Sequence, residues 1–520
     1  MINLLNYNVF TMRSRAWRRL ALLALAWAVV AAWPVRAGAQ QVNSLQAIRA
    51  LQDAMVDAIA RAEHSVVAIA RVRRAGRTPG TASPLPNGVL NPRPLGLPDR
   101  QPTDPEFVPN EFATGVVIDT AGHVLTNYHV LGNPDENDYY VWVQRKPFKV
   151  ARVEIPKRVE AGDPWTDLAV LTIAANDALA PITFGDARNL RKGMIVIALG
   201  NPYAIARDGS VSATWGIVAN LQRSAPPRAG ARSAEAERDS LHHFGTLIQT
   251  DAHLQAGTSG GALINLQGEM VGLTTSLTPL AGYEQAAGFA IPMNKALRQT
   301  ITTLARGRAP EYGFLGVEPE NLSLSERRMG KTGARVLRVL PGTPAAKARI
   351  RPDDVITKIN GLAVVDRDSL FRELSQIPAD SRVELVLHRR DPVNGRRRSQ
   401  TAQVVLAKKY TPTARKPFAQ VPPPTWRGLH VEYPSALPPR FRTLGLAGGD
   451  PKGCVAVRAV DRDSPAWKAG LRPGQYVSHV GNRRVTTPAE FFQTVGPLRG
   501  VVRLHLITGT GTKPTCAVAP

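Results

Sequence analysis

The sequence predicts a mainly β chain: an antiparallel barrel or pair of barrels, followed by two copies of a smaller β module. Three observations carry this. Between Thr114 and about Met293, short β-branched runs (115–118, 168–171, 194–198 and 270–273) alternate with Gly, Asn and Asp turn residues, the texture of closed antiparallel sheets. Residues 343–352 return as 464–473 with six of ten positions identical, and the same 121-residue offset aligns 355–360 with 476–481. A period that long duplicates a whole small domain rather than building a solenoid. The 520 residues, 43% apolar and 20% charged, suffice for about three domains with packed interiors.

In chain order, Arg13, Arg15, Arg18 and Arg19 precede an apolar run, 20–33, that Pro34 ends; Ala37-Gly38-Ala39 then offers a small-x-small cleavage site before Gln40. A helix over that run would rise only ~21 Å, short of a hydrocarbon core of about 30 Å. Residues 1–39 therefore read as an export signal, cleaved or retained as an anchor. Leu45, Ile48, Leu51, Met55 and Ile59 recur at three- and four-residue steps, an amphipathic helix over 44–62 that Ser44 can cap. A strand over 65–72 follows. Residues 77–112 hold nine prolines and no apolar period, a long loop insertion. Residues 224–240 are polar and read as a second surface loop, and 294–306 as a helix closing the domain. The boundaries that follow are a barrel domain over 40–310, a first module over 311–408, a Pro/Lys/Thr-rich linker over 409–424 and a second module over 425–520.

Lys plus Arg exceed Asp plus Glu by 65 to 41, a net charge of +24. The surplus is scattered, with no zinc finger, RNP motif or long basic run, so nucleic acid is not an expected partner. Two cysteines, Cys454 and Cys516, cannot build a disulfide scaffold or a four-thiolate zinc site, although in an oxidising compartment they could bridge each other. There is no HExxH, P-loop or Cys/His cluster, and Gly509-x-Gly511 lacks the Lys-Ser/Thr pair of a phosphate cradle. No cofactor or metal is expected.

Three segments carry chemistry. His129 ends the extended run 123–128; Asp167 opens the run Leu168-Ala169-Val170-Leu171; and Ser259 sits in Gly257-Thr258-Ser259-Gly260-Gly261. A serine hydroxyl attacks a carbonyl only if a base removes its proton, and the tetrahedral adduct needs converging N–H donors. Glycines let a tight turn aim such amides, here those of Gly257 and Ser259 with Thr258 between them. The base is expected to be a histidine whose tautomer a carboxylate fixes. Ser259 is thus the expected nucleophile, His129 the general base and Asp167 its orienter, in the chain order His, Asp, Ser.

These segments, with Ala198-Leu199-Gly200-Asn201-Pro202 and Gly288-Phe289-Ala290-Ile291-Pro292, resemble the HtrA/DegP family of trypsin-like serine proteases over nearly everything from residue 44 to the end. The resemblance implies a chymotrypsin-like double β-barrel followed by two PDZ domains, in an exported protease of the bacterial periplasm or cell envelope. It further implies that the enzyme degrades unfolded or damaged proteins as a homotrimer or larger assembly, with membrane contact only through an uncleaved signal. Thr258 and Ala262 stand where the family has Asn and Pro. His253 occupies the position from which a trypsin aspartate selects basic residues, and Leu254 an apolar position of the first specificity pocket. Cleavage after small or medium aliphatic residues is implied. The stretch Phe314-Leu315-Gly316-Val317 fits the PDZ carboxylate loop, which receives a peptide C-terminus; Trp426-Arg427-Gly428-Leu429 is its looser counterpart. Arg349 and Asp353 replace two family glycines in the first module, whereas the second keeps Gly470 and Gly474. Two other functions stay open at this point: a latent protease acting as a chaperone or scaffold, and a narrowly specific regulatory protease in envelope stress signalling.

Overall fold

The structure, a computed structural model, describes residues 44–73, 111–143, 146–149, 160–174, 179–201, 210–225, 240–255, 257–275, 288–391, 394–411, 417–442, 450, 452–507 and 514–520. The export signal and Gly509-x-Gly511 lie outside the described residues, as do 77–110 of the proline-rich insertion and 226–239 of the second loop. The chain forms two compact units, Met1–Asp53 and Ala54–Pro520. Of the first, the opening turns of helix Ser44–Ala62 are described. No helix among the described residues is long and apolar enough to cross a membrane.

Within the second unit, β-branched runs become two sheets. The first has eight strands in the order Phe418–Ala419, Ala161–Asp163, Leu168–Thr172, His123–Asn127, Glu111–Val117, Val66–Arg73, Asn137–Val143 and Lys146–Lys149. Along Asn137–Val143 every second residue is buried, the period-2 signature of a strand with one face on a core. The second sheet closes into a six-stranded barrel: Leu247–Thr250, Gly288–Pro292, Met270–Thr275, Ala262–Ile264, Ile195–Gly200 and Ser212–Arg223. Val116, Leu125, Leu168 and Val170 of the first sheet and Ile197, Leu199, Leu273 and Ile291 of the second belong to one buried cluster. The seam between the sheets is thus packed as a core, and a site built across it has rigid walls. Helix Lys295–Ala305, capped by Asn294 through a 2.9 Å bond from the Leu297 amide, buries Leu297, Ile301 and Leu304 in the same cluster.

Two boundaries differ from the sequence expectation. Glu111 and Phe112, assigned to the insertion, already pair with Arg71 and Ala70, because their partner strand lies on the far side of the insertion. The 409–424 linker is not a free spacer. Phe418 and Ala419 pair with Gly162 and Ala161, and the Phe418 ring lies 5.6 Å from that of Tyr128.

The two modules repeat one plan, each a six-stranded sheet with its own buried cluster. Cys454 and Cys516 are both buried and are not joined by a disulfide. They sit in different clusters, Cys454 with Leu437 and Tyr476 and Cys516 with Val518 and Leu504, and the Cys516 thiol faces the Ala469 carbonyl at 2.9 Å.

The degraded glycine positions keep their backbone shape. Arg349 (φ 57°) and Asp353 (φ 67°) hold the left-handed conformation of Gly470 (φ 87°) and Gly474 (φ 90°). A side chain there costs about 1 kcal/mol through crowding of Cβ against the backbone. Arg349→Gly and Asp353→Gly are each expected to raise the unfolding free energy of the first module by ~0.5–1 kcal/mol, measured by denaturant melts.

Candidate active site

The site begins with a turn. Residues 164–167 connect strand Ala161–Asp163 to strand Leu168–Thr172, and Asp167 leaves the turn at φ 56°. A non-glycine residue takes that conformation only when its surroundings impose it, and the surroundings here are specific. The Asp167 carbonyl accepts from the Tyr128 amide at 3.0 Å and from Asn127 Nδ2 at 3.2 Å. The Trp165 carbonyl accepts from the Leu241 amide at 2.8 Å, and the Thr166 carbonyl from His242 Nε2 at 3.0 Å. Because a carbonyl only accepts, His242 carries its proton on Nε2, and Nδ1 accepts from the Thr246 hydroxyl at 2.8 Å. Burial lowers the His242 pKa, which keeps this tautomer neutral.

So fixed, both Asp167 oxygens meet His129. Oδ1 accepts from the His129 backbone N–H at 3.0 Å and Oδ2 from its ring Nδ1 at 2.8 Å; the Thr275 hydroxyl stands 3.4 Å from Oδ2. His129 lies in the short helix Tyr128–Leu131 at the end of strand His123–Asn127. Burial is the largest influence on the Asp167 pKa and raises it, but the charge and hydrogen bonds of His129 hold it below the ordinary carboxylate value. An ionised carboxylate accepting from Nδ1 leaves the lone pair of His129 on Nε2. A second pair, His123 with Asp119 at 2.6 Å, is local: Asp119 Oδ1 also takes the amides of Ala121 and His123 in the same turn.

Ser259 is brought to the seam by backbone contacts. It is buried between Gly257 (φ 95°) and Gly260 (φ 85°). Its carbonyl accepts from the Thr114 amide at 2.9 Å. Thr114 Oγ1 donates to the Gly257 carbonyl at 2.7 Å and accepts from the Asn201 amide at 2.9 Å, while the Thr114 carbonyl accepts from Thr126 Oγ1 at 2.8 Å. One buried threonine therefore ties the serine loop to the strand that leads to His129. A Cβ on Gly260 would stand 2.1 Å from the Thr114 carbonyl and 2.3 Å from Thr126 Oγ1, so only glycine permits this approach. Thr258, at the family's Asn position, closes its own turn: its amide and hydroxyl reach the Gln255 carbonyl at 3.1 and 2.7 Å.

The remaining sequence candidates separate. Leu254 packs in the second-barrel cluster with Ile248 and Ala290, where a Cβ on Gly288 would meet its Cγ at 2.8 Å. His253 is exposed, and its carbonyl accepts from Thr214 Oγ1 at 3.0 Å. In the first module Leu315 is buried; its carbonyl accepts from the Ala345 amide and that of Gly316 from the Leu340 amide, both at 2.9 Å. Phe314 and Val317 flank them, half-buried. Since N–H and C=O of one peptide unit point oppositely, the amides of Gly316 and Val317 face away from that corner. The second module repeats this through Ala466 to Arg427 (3.1 Å) and Asp461 to Gly428 (2.8 Å), but its Leu429 amide is taken by the Trp426 carbonyl at 2.8 Å.

Several residues that order the site carry no sequence motif. Asp163 is buried and accepts from the amides of Trp165 (3.3 Å) and Thr166 (3.0 Å), from Thr166 Oγ1 (2.6 Å) and from the Tyr312 phenol. Burial raises its pKa in spite of those donors. Trp165 lies between Phe244 and Tyr312, at 6.2 and 6.3 Å, and Lys409 Nζ sits 4.0 Å above its ring. Among the described residues, no cluster of His, Cys, Asp and Glu could hold a metal ion.

Comparison with known proteins agrees with this architecture. Residues 113–273 match the trypsin-like peptidase domain, and residues 313–404 and 456–506 each match a PDZ domain. The fold and site thus define a trypsin-like serine peptidase with two C-terminal PDZ domains. The chain is 30% identical over 413 residues to a probable periplasmic serine endoprotease DegP-like of Chlamydia trachomatis, covering 78% of this chain and 74% of that one. It is 28% identical over 418 residues to the periplasmic pH-dependent serine endoprotease DegQ of Escherichia coli, covering 79% and 81%. The solved HtrA-type protease AlgW with decapeptide is 24% identical at a TM-score of 0.45, covering 68% of this chain and 98% of that one. The chain belongs to the DegP-like serine endoproteases.

Two outcomes follow from the geometry. Asp167→Asn, which keeps size but frees the His129 tautomer, is expected to lower kcat by about 10³–10⁴-fold in steady-state peptidase assays. Burial pulls the Lys409 ammonium down to about 7, below a free lysine near 10.4. The native state then holds fewer protons than the unfolded chain between those values, so stability rises with pH across that window. Lys409→Met is expected to flatten that rise in urea melts at pH 7 and pH 10.

Proposed function

We propose that this protein is an exported endopeptidase that hydrolyses unfolded or damaged polypeptides through an acyl-enzyme, with His129, Asp167 and Ser259 as its triad. The observation that carries the reading is the doubly bonded Asp167, which gives His129 one tautomer and one orientation. In the first step Ser259 Oγ bonds to the scissile carbonyl carbon as His129 Nε2 takes its proton. The amides of Gly257 and Ser259 receive the oxyanion, a contribution of roughly 3–4 kcal/mol per donor. His129 then returns the proton to the leaving amine as the C–N bond breaks. Water, deprotonated by the same ring, hydrolyses the ester and frees Ser259.

Leu254 against Gly288 supports a pocket for small or medium aliphatic side chains, with His253 outside it on the surface. The first PDZ domain is the one suited to a peptide C-terminus. Its Gly316 and Val317 amides point away from the 340–345 corner, whereas the second domain consumes its Leu429 amide internally. Exposed Leu45, Ile48 and Leu51 favour assembly into a trimer or larger homo-oligomer. The periplasmic names of the relatives support an envelope location.

Casein digestion by the full chain, read beside labelling with a fluorophosphonate probe, tests the proposal. Ser259→Ala is expected to abolish labelling and to lower casein cleavage by at least about 10⁴-fold, with His129→Ala doing the same. A wild-type protein that binds unfolded casein without cutting it would favour the chaperone reading, and undiminished turnover by His129→Ala would refute the base.

A further inference from the structure

We propose that Tyr312, supplied by the first PDZ domain, is a positioning residue for the His129–Asp167 pair, acting through the Asp163 carboxylate. This rests on the triad reading above. Three of the four donors to Asp163 belong to its own turn: the amides of Trp165 and Thr166 and the Thr166 hydroxyl. The fourth, the Tyr312 phenol, comes from 149 residues along the chain. It is the one donor to Asp163 from outside the turn among the described residues.

Tyr312 is presented rigidly. Its carbonyl accepts from the Lys409 amide at 2.7 Å, and the next residue, Gly313, donates to the Ile377 carbonyl at 2.7 Å; the ring is buried beside Trp165. The strand Ala161–Asp163 is also held by the PDZ-flanking chain, since Phe418 and Ala419 pair with Gly162 and Ala161. Residues 161–167 are thus gripped by the segments entering and leaving the domain.

The grip matters because the last residue of the turn, Asp167, stays at φ 56° only while the turn holds its shape. A buried carboxylate short of one donor protonates or rotates to find another. Either change loosens the Thr166 amide, and with it the aim of Asp167 at His129 Nδ1. Tyr312 also directly precedes Gly313-Phe314-Leu315-Gly316, so whatever displaces that loop pulls on the Asp163 contact.

The test is Tyr312→Phe in the full chain, which keeps the ring on Trp165 and deletes only the hydroxyl. The expected result is a roughly tenfold drop in kcat on casein with KM within about twofold. The rate of fluorophosphonate labelling should fall in parallel. The acid limb of its pH profile should move down by about half a pH unit, since a misaimed Asp167 stabilises the imidazolium less. Asp163→Asn is expected to act alike and decides the matter if Tyr312→Phe does not fold. A wild-type kcat and an unchanged pH profile in a folded variant would overturn the positioning role. Ser259→Ala separates the two readings: if it still labels and cuts, the triad is wrong, whereas if it is inert and Tyr312→Phe is wild type, only the role of Tyr312 fails.

Discussion

A carboxylate that orients an imidazole must itself be unable to turn. In this protein that constraint is met at Asp167, whose two oxygens bind the backbone and ring of one histidine while its own backbone sits in a conformation that side chains disfavour. The carbonyls of Trp165 and Thr166 are bonded to Leu241 and His242 of one short helix and that of Asp167 to Asn127 and Tyr128, and the turn is closed from inside by Asp163. Tertiary contacts thus offset the torsional cost, which is of order 1–3 kcal/mol, and the result is a rigid aim rather than extra stability.

The same economy shapes the serine side. Thr114 uses its amide, hydroxyl and carbonyl for four partners in three segments. The close passage of Gly260 past that carbonyl leaves no room for a Cβ. Two elements distant in sequence are therefore fixed against each other by short polar contacts inside an apolar seam, where hydrogen bonds are strengthened by the low dielectric. The PDZ domains are not appendages to this arrangement: an aromatic cluster of Trp165, Phe244, Tyr312 and Phe371 joins the first of them to the turn beside Asp167.

Much of this was legible in the chain. The pairing of His129 with Asp167 was legible because a base and its orienting carboxylate demand particular residue types beside strands, and the 121-residue repeat exposed both modules. What stayed hidden is long-range. Nothing local marks Asp163 as the acceptor for Tyr312, and Phe418 looked like part of a spacer because its partner strand lies some 250 residues earlier. Glu111 and Phe112 read as loop for the same reason. Adjacent His253 and Leu254 could be separated only by structure, since one is exposed and the other packs against Gly288. Arg349 and Asp353 looked like degeneration, yet the backbone keeps the left-handed shape regardless.

The most direct measurement is a crystal structure of the full chain after reaction with a fluorophosphonate. The account expects phosphorus bonded to Ser259 Oγ, its oxygen between the amides of Gly257 and Ser259, and His129 still bonded through Nδ1 to Asp167. An adduct on another residue, or a bound phosphoryl oxygen turned away from those amides with His129 parted from Asp167, would contradict it.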